Sequence, residues 1–512
     1  MKHVNRLLLI ACLGAVFTVA DTTGQGGESP WPANVRVNQD NSGNPQAETS
    51  LAVDPNDPLH LVAIFWEVTS LTPAPWQKRL DYAWTRDGGR TWQSRRLETD
   101  INSSDPSIVA DREGNFYVAT IMFASLRSAT GWKVGIFKST DGGETFFEFA
   151  DLAVDTGIDK PFIAIDPVTD ALYVTWTDIS PQPGGHWASI LLAVSTDHGA
   201  SFSSPQRISD PSAYGSMAVP IGGANGEVFI VWGSFSGRIW LDRSLDGGLT
   251  WLRKDLLVTA FNRGDFHGFG GYLFPAIAVD RSEGPHRGRI YVVWSTAYFP
   301  PGDPDIYLAW SDDQGEHWSK PVRVNDDAVG NGASQYFPWV VVDDRGRVHV
   351  TFANLRFTAD VVSKAEYLAT STDGGETFGP NVRISEGAYD TPLPFIGDYD
   401  QPVVVGNQLH AIWADARFGD SDVFTQSVNL DDFDEDGVLN DGDLDGQYAD
   451  HRCTGGATAH CDDNCPGTPN VDQTDTDGDL VGDACDNCPT VQNTSQSDID
   501  RDGIGDACEV AQ

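Results

Sequence analysis

Basic residues and cysteine are scarce along most of this sequence. Its 512 residues include 33 Lys and Arg against 74 Asp and Glu, which gives a formal net charge of −41. So acidic a chain lacks the positive surface that a phosphate backbone requires, and the composition argues against a nucleic-acid partner. Apart from residues 7–17, no apolar run approaches the ~20 residues of a membrane helix, so we expect no transmembrane helix.

Cysteine is absent between Cys12 and Cys453. The first residues contain a short basic head, the apolar run 7–17 and small residues before Asp21, which is typical of a secretory signal peptide. We therefore predict a signal peptide over 1–20 and a polar linker over 21–32, with lipid attachment at Cys12 as an alternative. The other six cysteines lie between Cys453 and Cys508, and an even number in one segment of an exported chain predicts disulfides.

What the sequence does contain is a repeated octet, hydroxyl-x-Asp-x-Gly-x-hydroxyl-aromatic. Two copies are identical, S-T-D-G-G-E-T-F, and four are variants; the six copies are 85–92, 139–146, 195–202, 244–251, 311–318 and 371–378. The Asp and the hydroxyl can bond to turn amides, and the Gly can adopt positive φ, so the octet predicts a tight turn between two strands.

Two apolar strand patterns recur seven times around these octets. The first strands are expected at 49–54, 106–111, 161–166, 217–219, 275–280, 338–343 and 402–405. The second strands are expected at 60–66, 116–123, 172–176, 228–232, 290–294, 348–352 and 409–413. Four short strands in each repeat of ~50 residues indicate an all-β, seven-bladed β-propeller over 33–428, with six blades as the alternative.

The seventh repeat has no octet and no fourth strand of its own. Its third strand, expected at 422–428, runs directly into the C-terminal tail. Residues 34–38 (N-V-R-V-N) match the fourth strands at 321–325 and 381–385. We therefore predict that the N-terminal strand pairs with 422–428 and closes the ring, because closure satisfies strand edges that would otherwise stay open.

The octets resemble the Asp-box, or BNR repeat, of sialidases, and the resemblance covers about 33–428. Asp-boxes also occur in endoglucanases and in receptor and assembly-factor propellers, so the resemblance implies the fold more specifically than an activity. In sialidases three arginines hold the substrate carboxylate, a Tyr–Glu pair supplies the nucleophile and an Asp is the acid/base. This chain lacks the family's usual Arg-Ile-Pro motif and is predicted to have seven blades where sialidases have six.

Propeller topology indicates which residues share the face opposite the octets. The loops after the second strands open on that face. They carry a set of three arginines, a tyrosine and two carboxylates, namely Glu67, Arg127, Asp178, Tyr298, Arg356 and Arg417. These six residues are the candidate pocket for an anion or a glycan; the alternative is that they are ordinary polar residues of a propeller rim. Two aromatic-rich loops, 262–272 and 386–399, are expected on the same face.

The tail from Leu430 to Gln512 contains 22 acidic and 2 basic residues. Carboxylates at positions 1, 3 and 5 of a turning loop, followed by further oxygen donors at positions 9 and 12, wrap calcium. Three such loops give the predicted ligands Asp432, Asp434, Asp436, Asn440, Asp443; Asp475, Asp477, Asp479, Asp483, Asp486; and Asp498, Asp500, Asp502, Asp506, Glu509. Leu480 replaces the usual Gly at position 6 of the second loop, which predicts a weaker site there.

The stretch from Asp486 to Cys508 resembles a thrombospondin type 3 repeat, and Asp463-Asn464-Cys465-Pro466 begins a second copy. The resemblance implies calcium-binding repeats over 429–512. The matching intervals suggest bridges Cys465–Cys485 and Cys488–Cys508, with Cys453–Cys461 as the third, among fifteen formal pairings.

These features together predict a secreted or cell-surface protein of bacterial type. We expect calcium in the tail, a spacer or adhesion role for the repeats, and an extracellular glycan or protein ligand on the propeller. The alternative function is an exo-glycosidase of sialidase type.

Overall fold

The structure is a computed structural model. It describes residues 33–509 except 71–76, 100, 124–130, 154–156, 183–185, 235, 261–273, 297–303, 358–361, 392–396, 435, 444–450 and 499–503. The predicted signal peptide and linker therefore lie outside the described residues. Within the described ranges all regular elements are strands, and none of these residues forms a helix long and apolar enough to cross a bilayer.

Thirty strands make up the described part of the chain. In chain order they begin with β1 (Val35–Arg36), β2 (Gln46–Asp54), β3 (Asp57–Ser70), β4 (Gln77–Thr85), β5 (Gln93–Arg96), β6 (Asn102–Ala110), β7 (Phe116–Phe123), β8 (Lys133–Ser139), β9 (Phe147–Ala153), β10 (Ile158–Ile165), β11 (Leu172–Gln182), β12 (His186–Ser195) and β13 (Gln206–Arg207). They continue with β14 (Ser216–Gly222), β15 (Val228–Ser234), β16 (Arg238–Ser244), β17 (Leu256–Ala260), β18 (Ala276–Val279), β19 (Ile290–Thr296), β20 (Asp305–Ser311) and β21 (Val322–Arg323). The last are β22 (Ser334–Val342), β23 (Val348–Phe357), β24 (Val362–Ser371), β25 (Val382–Arg383), β26 (Tyr389–Thr391), β27 (Asp400–Gln401), β28 (Val403–Val405), β29 (Gln408–Asp415) and β30 (Asp422–Asn429).

These strands form seven sheets, which are the seven blades of a propeller. Blades 1 to 6 are β2–β5, β6–β9, β10–β13, β14–β17, β18–β21 and β22–β25, and blade 7 is β28–β29–β30–β1. The prediction of seven blades is thereby confirmed over the six-bladed alternative. The short β27 pairs in parallel with β2, so the inner edges of blades 7 and 1 are also joined.

The N-terminal strand closes the ring, as predicted. Val35 pairs with Thr425 and Arg36 pairs with Phe424 in an antiparallel register. The side chains of Arg36 and Asn38 both donate to Asp422, at 2.6 and 2.8 Å. In blade 5 the corresponding pair, Arg323 and Asn325, donates to Asp305 at 2.7 and 2.8 Å. The first strand of the chain therefore occupies blade 7 as an ordinary fourth strand does.

The hydrophobic core lies between neighbouring blades. The second strands are apolar on both faces, and β7, β15 and β19 are buried along their whole length. Tryptophans at the ends of second strands, including Trp176, Trp232, Trp294 and Trp413, are at most 1% exposed. Because each blade covers the next, a strand buried on both faces needs a continuous apolar run, which is the pattern in the sequence.

Each octet is a turn that its own aspartate holds closed. In the second copy, Asp141 accepts hydrogen bonds from the Thr145 amide at 2.9 Å and the Thr145 hydroxyl at 2.5 Å. Ser139 donates to Asp141 at 2.8 Å and accepts from the Gly143 amide at 2.8 Å. Gly143 has φ of 80°, and a Cβ there would collide with Val62. The octet aspartates are therefore structural.

Five of the seven first strands, those of blades 1, 2, 3, 4 and 6, have a β-bulge near their N-terminal ends. At the bulge, one residue adopts positive φ, and these residues are Glu48, Asp105, Lys160, Met217 and Phe337, with φ between 49° and 56°. The strand register shifts at each of these positions. Such a bulge redirects a side chain. The bulges lie at the ends of the first strands that pair with the ends of the second strands, on the face opposite the octets.

Candidate functional site

Charged side chains from several blades converge on Lys160 at this face. The Lys160 ammonium lies 2.6 Å from Glu48, 3.3 Å from Asp105 and 2.6 Å from Asp398. Together with Asp159 these residues form what we call the lysine cluster. Blades 1, 2 and 3 each contribute bulge residues, and the segment preceding blade 7 contributes Asp398. The lysine is only 5% exposed, whereas Asp398 has 16% of its side chain exposed.

The charges in the lysine cluster are not balanced, because one cation faces four carboxyl groups. Burial, reinforced by Asp105, raises the pKa of Glu48 to about 8. Burial also raises the pKa of Asp159 to about 7. Burial acts in the same direction on Asp105, but the ammonium of Lys160 outweighs it and holds the pKa of that carboxyl well below its usual range. Near neutral pH the cluster therefore contains both a protonated and an ionised carboxyl group.

Aromatic rings lie directly beside this cluster. The Lys160 ammonium is 5.5 Å from the centre of the Tyr399 ring, and Phe162 contacts both Tyr399 and Trp339, with ring centres 5.1 and 5.9 Å apart. Phe162 and Trp339 also line a central channel of about 260 Å³ that continues between the first strands. The bulge residues of blades 4 and 6 are the apolar Met217 and Phe337, in contrast to the charged bulge residues of blades 1 to 3.

A second buried lysine lies between blades 6 and 7. Lys364 pairs with Glu366 at 2.8 Å and with Asp400 at 2.9 Å, and Asp400 also accepts a hydrogen bond from Thr49 of blade 1 at 2.9 Å. Lys364 lies 5.5 Å from the centre of the Phe337 ring. The ionic groups on this face therefore continue from blade 3 round to blade 6.

The predicted pocket residues have varied surroundings. Glu67 is fully buried; it accepts a hydrogen bond from Asn44 at 2.9 Å and forms a close ion pair with Arg96. Asp178 accepts a hydrogen bond from the Ser180 amide at 2.9 Å. Arg127 and Tyr298 lie outside the described residues. Of Arg356 the backbone is described, and it pairs with Ser363.

Arg417 is occupied by contacts within the protein. Its guanidinium donates to Asp415 at 2.6 Å, to Glu386 at 2.6 Å and to Asn34 at 3.2 Å. It is also stacked against Tyr389, 4.1 Å from the ring centre. The Arg417 side chain is 5% exposed, and its guanidinium hydrogen-bonds to these three partners. The structure thus holds Glu67 and Arg417 in two separate networks.

Sequence reasoning missed the lysine cluster, although a signal exists. Asp105, Lys160 and Phe337 each directly precede the proline of a first-strand pattern, and Glu48 occupies the same position in blade 1. Their shared position in the repeat is the one signal in the sequence that connects them, although their side chains are unlike. The aromatic loop 262–272 lies outside the described residues.

The tail is held together by three disulfides. Cys453–Cys461, Cys465–Cys485 and Cys488–Cys508 are bonded, and this pairing confirms the prediction from the intervals. In the described part of the tail the chain otherwise forms turns, with one isolated bridge between Arg452 and Asp462.

The tail carboxylates gather in groups that fit a metal ion. Oxygen atoms within 4.8 Å of one another are offered by Asp432, Asp434 and Asp436, and in a second group by Asp475, Asp477 and Asp479. Asp500 and Asp502 of the third loop lie outside the described residues. The oxygen-only donor sets match the preference of hard divalent cations.

Several oxygens at these loops are buried and lack a hydrogen-bond partner among the described residues. They are one carboxylate oxygen each of Asp434, Asp463, Asp477 and Asp486. Burial and the charge of Asp463 raise the pKa of Asp434 to about 8. Crowded, unpartnered carboxylates are unfavourable unless a cation neutralises them, so this geometry fits a metal site.

Asp443 joins a different group from the one that its position in the first loop predicts. Its carboxylate lies within 4.8 Å of those of Asp441 and Asp462, and His451 Nδ1 is 3.2 Å away. Asn440 of the first loop is fully buried, and its side-chain oxygen accepts a hydrogen bond from the Phe433 amide at 3.4 Å.

The first loop is packed onto the propeller. Phe433 is 3% exposed and belongs to the hydrophobic cluster of blades 6 and 7. Arg345 and Arg347 from blade 6 both pair with Asp431, each at 2.8 Å. The beginning of the tail is therefore an extension of the propeller surface.

Comparisons with known proteins find similarity of structure alone. No protein-family model matches the chain, and no curated protein matches it. Among solved structures, the α-L-arabinofuranosidase Arb93A from Fusarium graminearum has 12% identity and a TM-score of 0.46 over 80% of this chain and 99% of that one. An α-L-arabinanase from Penicillium chrysogenum has 14% identity and a TM-score of 0.45 over 78% and 98%. The NanB sialidase from Streptococcus pneumoniae has 12% identity and a TM-score of 0.42 over 79% and 71%. The architecture given above rests on this chain's own strand pairing.

Proposed function

We propose that this chain is an exported surface protein whose propeller binds an extracellular glycan at the lysine cluster, and whose tail is loaded with calcium. The observation that carries the proposal is the convergence of Glu48, Asp105 and Lys160, from three different blades, on one point at the propeller axis. Stability alone does not require this arrangement, because buried ion clusters can commonly be replaced by well-packed apolar residues without a loss of stability.

The chemistry of the mouth favours a sugar. A sugar ring has hydroxyl groups at its edge and an apolar C–H face. The lysine cluster supplies hydrogen-bond acceptors and one cationic donor, and Phe162 and Trp339, which line the adjoining channel, supply aromatic surface. Sites for small ligands typically combine apolar walls with a few convergent polar groups. Asp398, with 16% of its side chain exposed, is a member of the lysine cluster that an incoming ligand can reach.

The calcium assignment is supported by the donor chemistry of the tail. The groups consist of carboxylate oxygens at alternate positions, and several of these oxygens are buried without a partner among the described residues. The tail has a small hydrophobic core, in which Val438 packs with Cys453 and Cys461. Cations and disulfides would then supply most of its stability, which suits a rigid spacer or an adhesion segment at a cell surface.

A glycan-array measurement tests the binding function. The full chain is probed in calcium, and Asp398→Asn is compared with Glu376→Gln, which alters an exposed carboxylate of an octet on the opposite face. We expect selective glycan binding that Asp398→Asn weakens about tenfold or more, the loss expected when one charge-assisted hydrogen bond is removed. Absence of binding by the wild type, or equal binding by both variants, would contradict the proposal.

A second candidate is glycoside hydrolysis of the sialidase type, and one observation favours it. The pKa of Glu48 is raised to about 8, whereas the pKa of its neighbour Asp105 is held well below its usual range. A protonated and an ionised carboxyl side by side is the division of roles between general acid and nucleophile or base in a glycosidase. Turnover of a fluorogenic sialoside that Glu48→Gln reduces about 100-fold would favour hydrolysis. Glycan binding without turnover would support the binding function and contradict hydrolysis.

A further inference from the structure

In the second and third tail loops, the residue at the last ligand position makes the same backbone hydrogen bond. In the second loop the amide of Asp486, at position 12, donates to the carbonyl of Gly482, at position 8, over 3.0 Å. In the third loop the amide of Glu509 donates to the carbonyl of Gly505 over 3.1 Å. This bond therefore marks the residue that stands at position 12.

In the first loop another residue makes the same bond. The carbonyl at position 8 belongs to Leu439, and it accepts a hydrogen bond from the amide of Asp463 over 3.1 Å. Asp443, which counting along the sequence puts at position 12, lies twenty residues earlier. Asp463, Asp486 and Glu509 are spaced evenly, at intervals of 23 residues.

The side chains of Asp463 and Asp486 accept equivalent hydrogen bonds. One oxygen of Asp463 accepts hydrogen bonds from the Cys465 amide at 2.8 Å and from Gln473 Nε2 at 2.9 Å. Asp486 has the equivalent two bonds, from Cys488 and Gln496, at 2.7 and 2.8 Å. In both residues the second oxygen is buried and has no partner among the described residues.

That second oxygen of Asp463 belongs with the first loop. The Asp463 side chain is fully buried, and its second oxygen, like one oxygen of Asp434, has no partner among the described residues. The following segment is fixed to the loop by the Asn470 amide, which donates to Asp436 at 2.8 Å. In the second loop Asn493 donates to Asp479 in the same way, at 2.7 Å.

We propose that Asp463, and not Asp443, is the final carboxylate ligand of the first loop, and that the intervening segment closed by Cys453–Cys461 is an insertion looped out of the site. Asp463 joins Asp432, Asp434 and Asp436 around one hard divalent cation. Asp443 belongs instead to the group with Asp441 and Asp462. This inference rests on the calcium loading proposed above.

Counting bound calcium tests the assignment on the full chain. Equilibrium dialysis against Ca²⁺ compares the wild type with Asp463→Asn and Asp443→Asn, and Asp486→Asn serves as the matched variant in the second loop. Asn keeps an oxygen that can accept the bonds from Cys465 and Gln473, so the local turn is preserved. We expect Asp463→Asn and Asp486→Asn each to lose one bound ion, or to weaken one site about tenfold or more, while Asp443→Asn keeps the first-loop ion.

Melting curves separate a ligand role from a folding defect. If Asp463 acts through the cation, Asp463→Asn and the wild type have the same melting temperature in EGTA and differ only when Ca²⁺ is present. A lower melting temperature of the variant in EGTA, an unchanged ion count with unchanged affinity in Asp463→Asn, or a first-loop loss in Asp443→Asn would each overturn the assignment of Asp463. A wild type that binds no calcium would overturn the calcium proposal itself.

Discussion

The guanidinium of Arg417 lies 2.6 Å from the carboxylate of Glu386, and it reaches Asn34 at 3.2 Å from the same position. Glu386 follows the last strand of blade 6, whereas Asn34 directly precedes β1. The Asn34 amide and the Glu386 amide also donate to each other's side chains, at 3.2 and 2.9 Å. Arg417 is therefore a clamp at the point where the ring closes.

Replacing Arg417 should destabilise the propeller. The Arg417→Ala variant leaves Asp415, which is 1% exposed, without its cation, and unpairing a buried charge costs about 3–5 kcal/mol. Chemical unfolding of the full chain measures this loss. Arg86→Ala is the control, because Arg86 is half exposed and its contact with Glu144 is 3.4 Å long, so we expect a change below about 1 kcal/mol. Equal effects of the two variants would contradict the clamp.

Removing the N-terminal strand should have a larger effect. Deleting residues 33–40 removes β1 together with Arg36 and Asn38, so the edge of β30 and the carboxylate of Asp422 lose their partners. We expect a sharp fall in melting temperature and a tendency to aggregate through the open edge. The control deletes 21–32 from the mature chain and keeps β1. A melting curve that is unchanged on deletion of 33–40 would show that closure does not depend on β1.

A buried carboxyl in blade 4 should make stability depend on pH. Asp242 is fully buried, one of its oxygens has no partner among the described residues, and burial raises its pKa to about 7. The folded state binds this proton up to a higher pH than the unfolded state does. The contribution of the protonated carboxyl to the free energy of unfolding is therefore complete below pH ~4. It is lost as the pH rises through 7, by up to about 4 kcal/mol.

The variant Asp242→Asn removes that proton equilibrium. We expect the wild type to lose stability between about pH 4 and 7 and the variant to lose less over the same range, as measured by denaturant unfolding at each pH. Burial raises the pKa of Asp255 to about 7 as well, so this carboxyl also lowers stability as the pH rises. Some pH dependence of stability therefore remains in the variant. Identical pH profiles for wild type and variant would contradict the role of Asp242.

The second tail loop contains a leucine in a conformation that suits glycine. Leu480 has φ of 77° where the first loop has Gly437 with φ of 91°. A non-Gly residue in this region costs about 1 kcal/mol or more. We expect Leu480→Gly to tighten calcium binding at the second loop several-fold, measured by calcium titration. Leu439→Gly is the control, because the backbone φ of Leu439 is not positive. Equal gains in calcium affinity from both variants would rule out backbone strain as the cause.

Calcium removal should act on the tail first and on the propeller second. We expect EGTA to unfold 430–512 while the propeller stays folded. Because Phe433 packs into the cluster of blades 6 and 7 and Asp431 pairs with Arg345 and Arg347, the propeller should also melt a few degrees lower. Calorimetry with and without EGTA measures both transitions. In Phe433→Ala the propeller transition should respond less to EGTA; an equal response would show that Phe433 does not couple the two parts.

Much of the fold could be predicted because its signals are local and repeated. Each octet needs only its own residues to form a turn, as the bonds of Asp141 show, and the match of 34–38 to 321–325 identified the closing strand. The disulfides followed from two equal intervals in the sequence.

The lysine cluster could not be predicted in the same way. Glu48, Asp105 and Lys160 occupy one position of the repeat but have unlike side chains, so no motif joins them. They meet because a positive-φ bulge turns each of them in the same direction, and such a bulge is a tertiary feature. For Arg417 the sequence predicted the position but not the contacts. The arginine lies near the expected face, and its guanidinium binds Glu386, Asn34 and Asp415 where the ring closes. Counting residues along a loop likewise assumes that nothing is inserted, so the count alone could not propose Asp463 as a ligand.

The ring closure also fixes the order in which the molecule can be completed. Asn34 and Gln426 are hydrogen-bonded at 2.8 Å, yet they are 392 residues apart in the sequence. A ribosome delivers β1 first and its partner β30 after every other strand of the propeller. Until then the earliest strand has an unpaired edge, and the blades stand as an open row. The ring can therefore close only after β30 is available, and until then the open strand edges are free to bind another molecule.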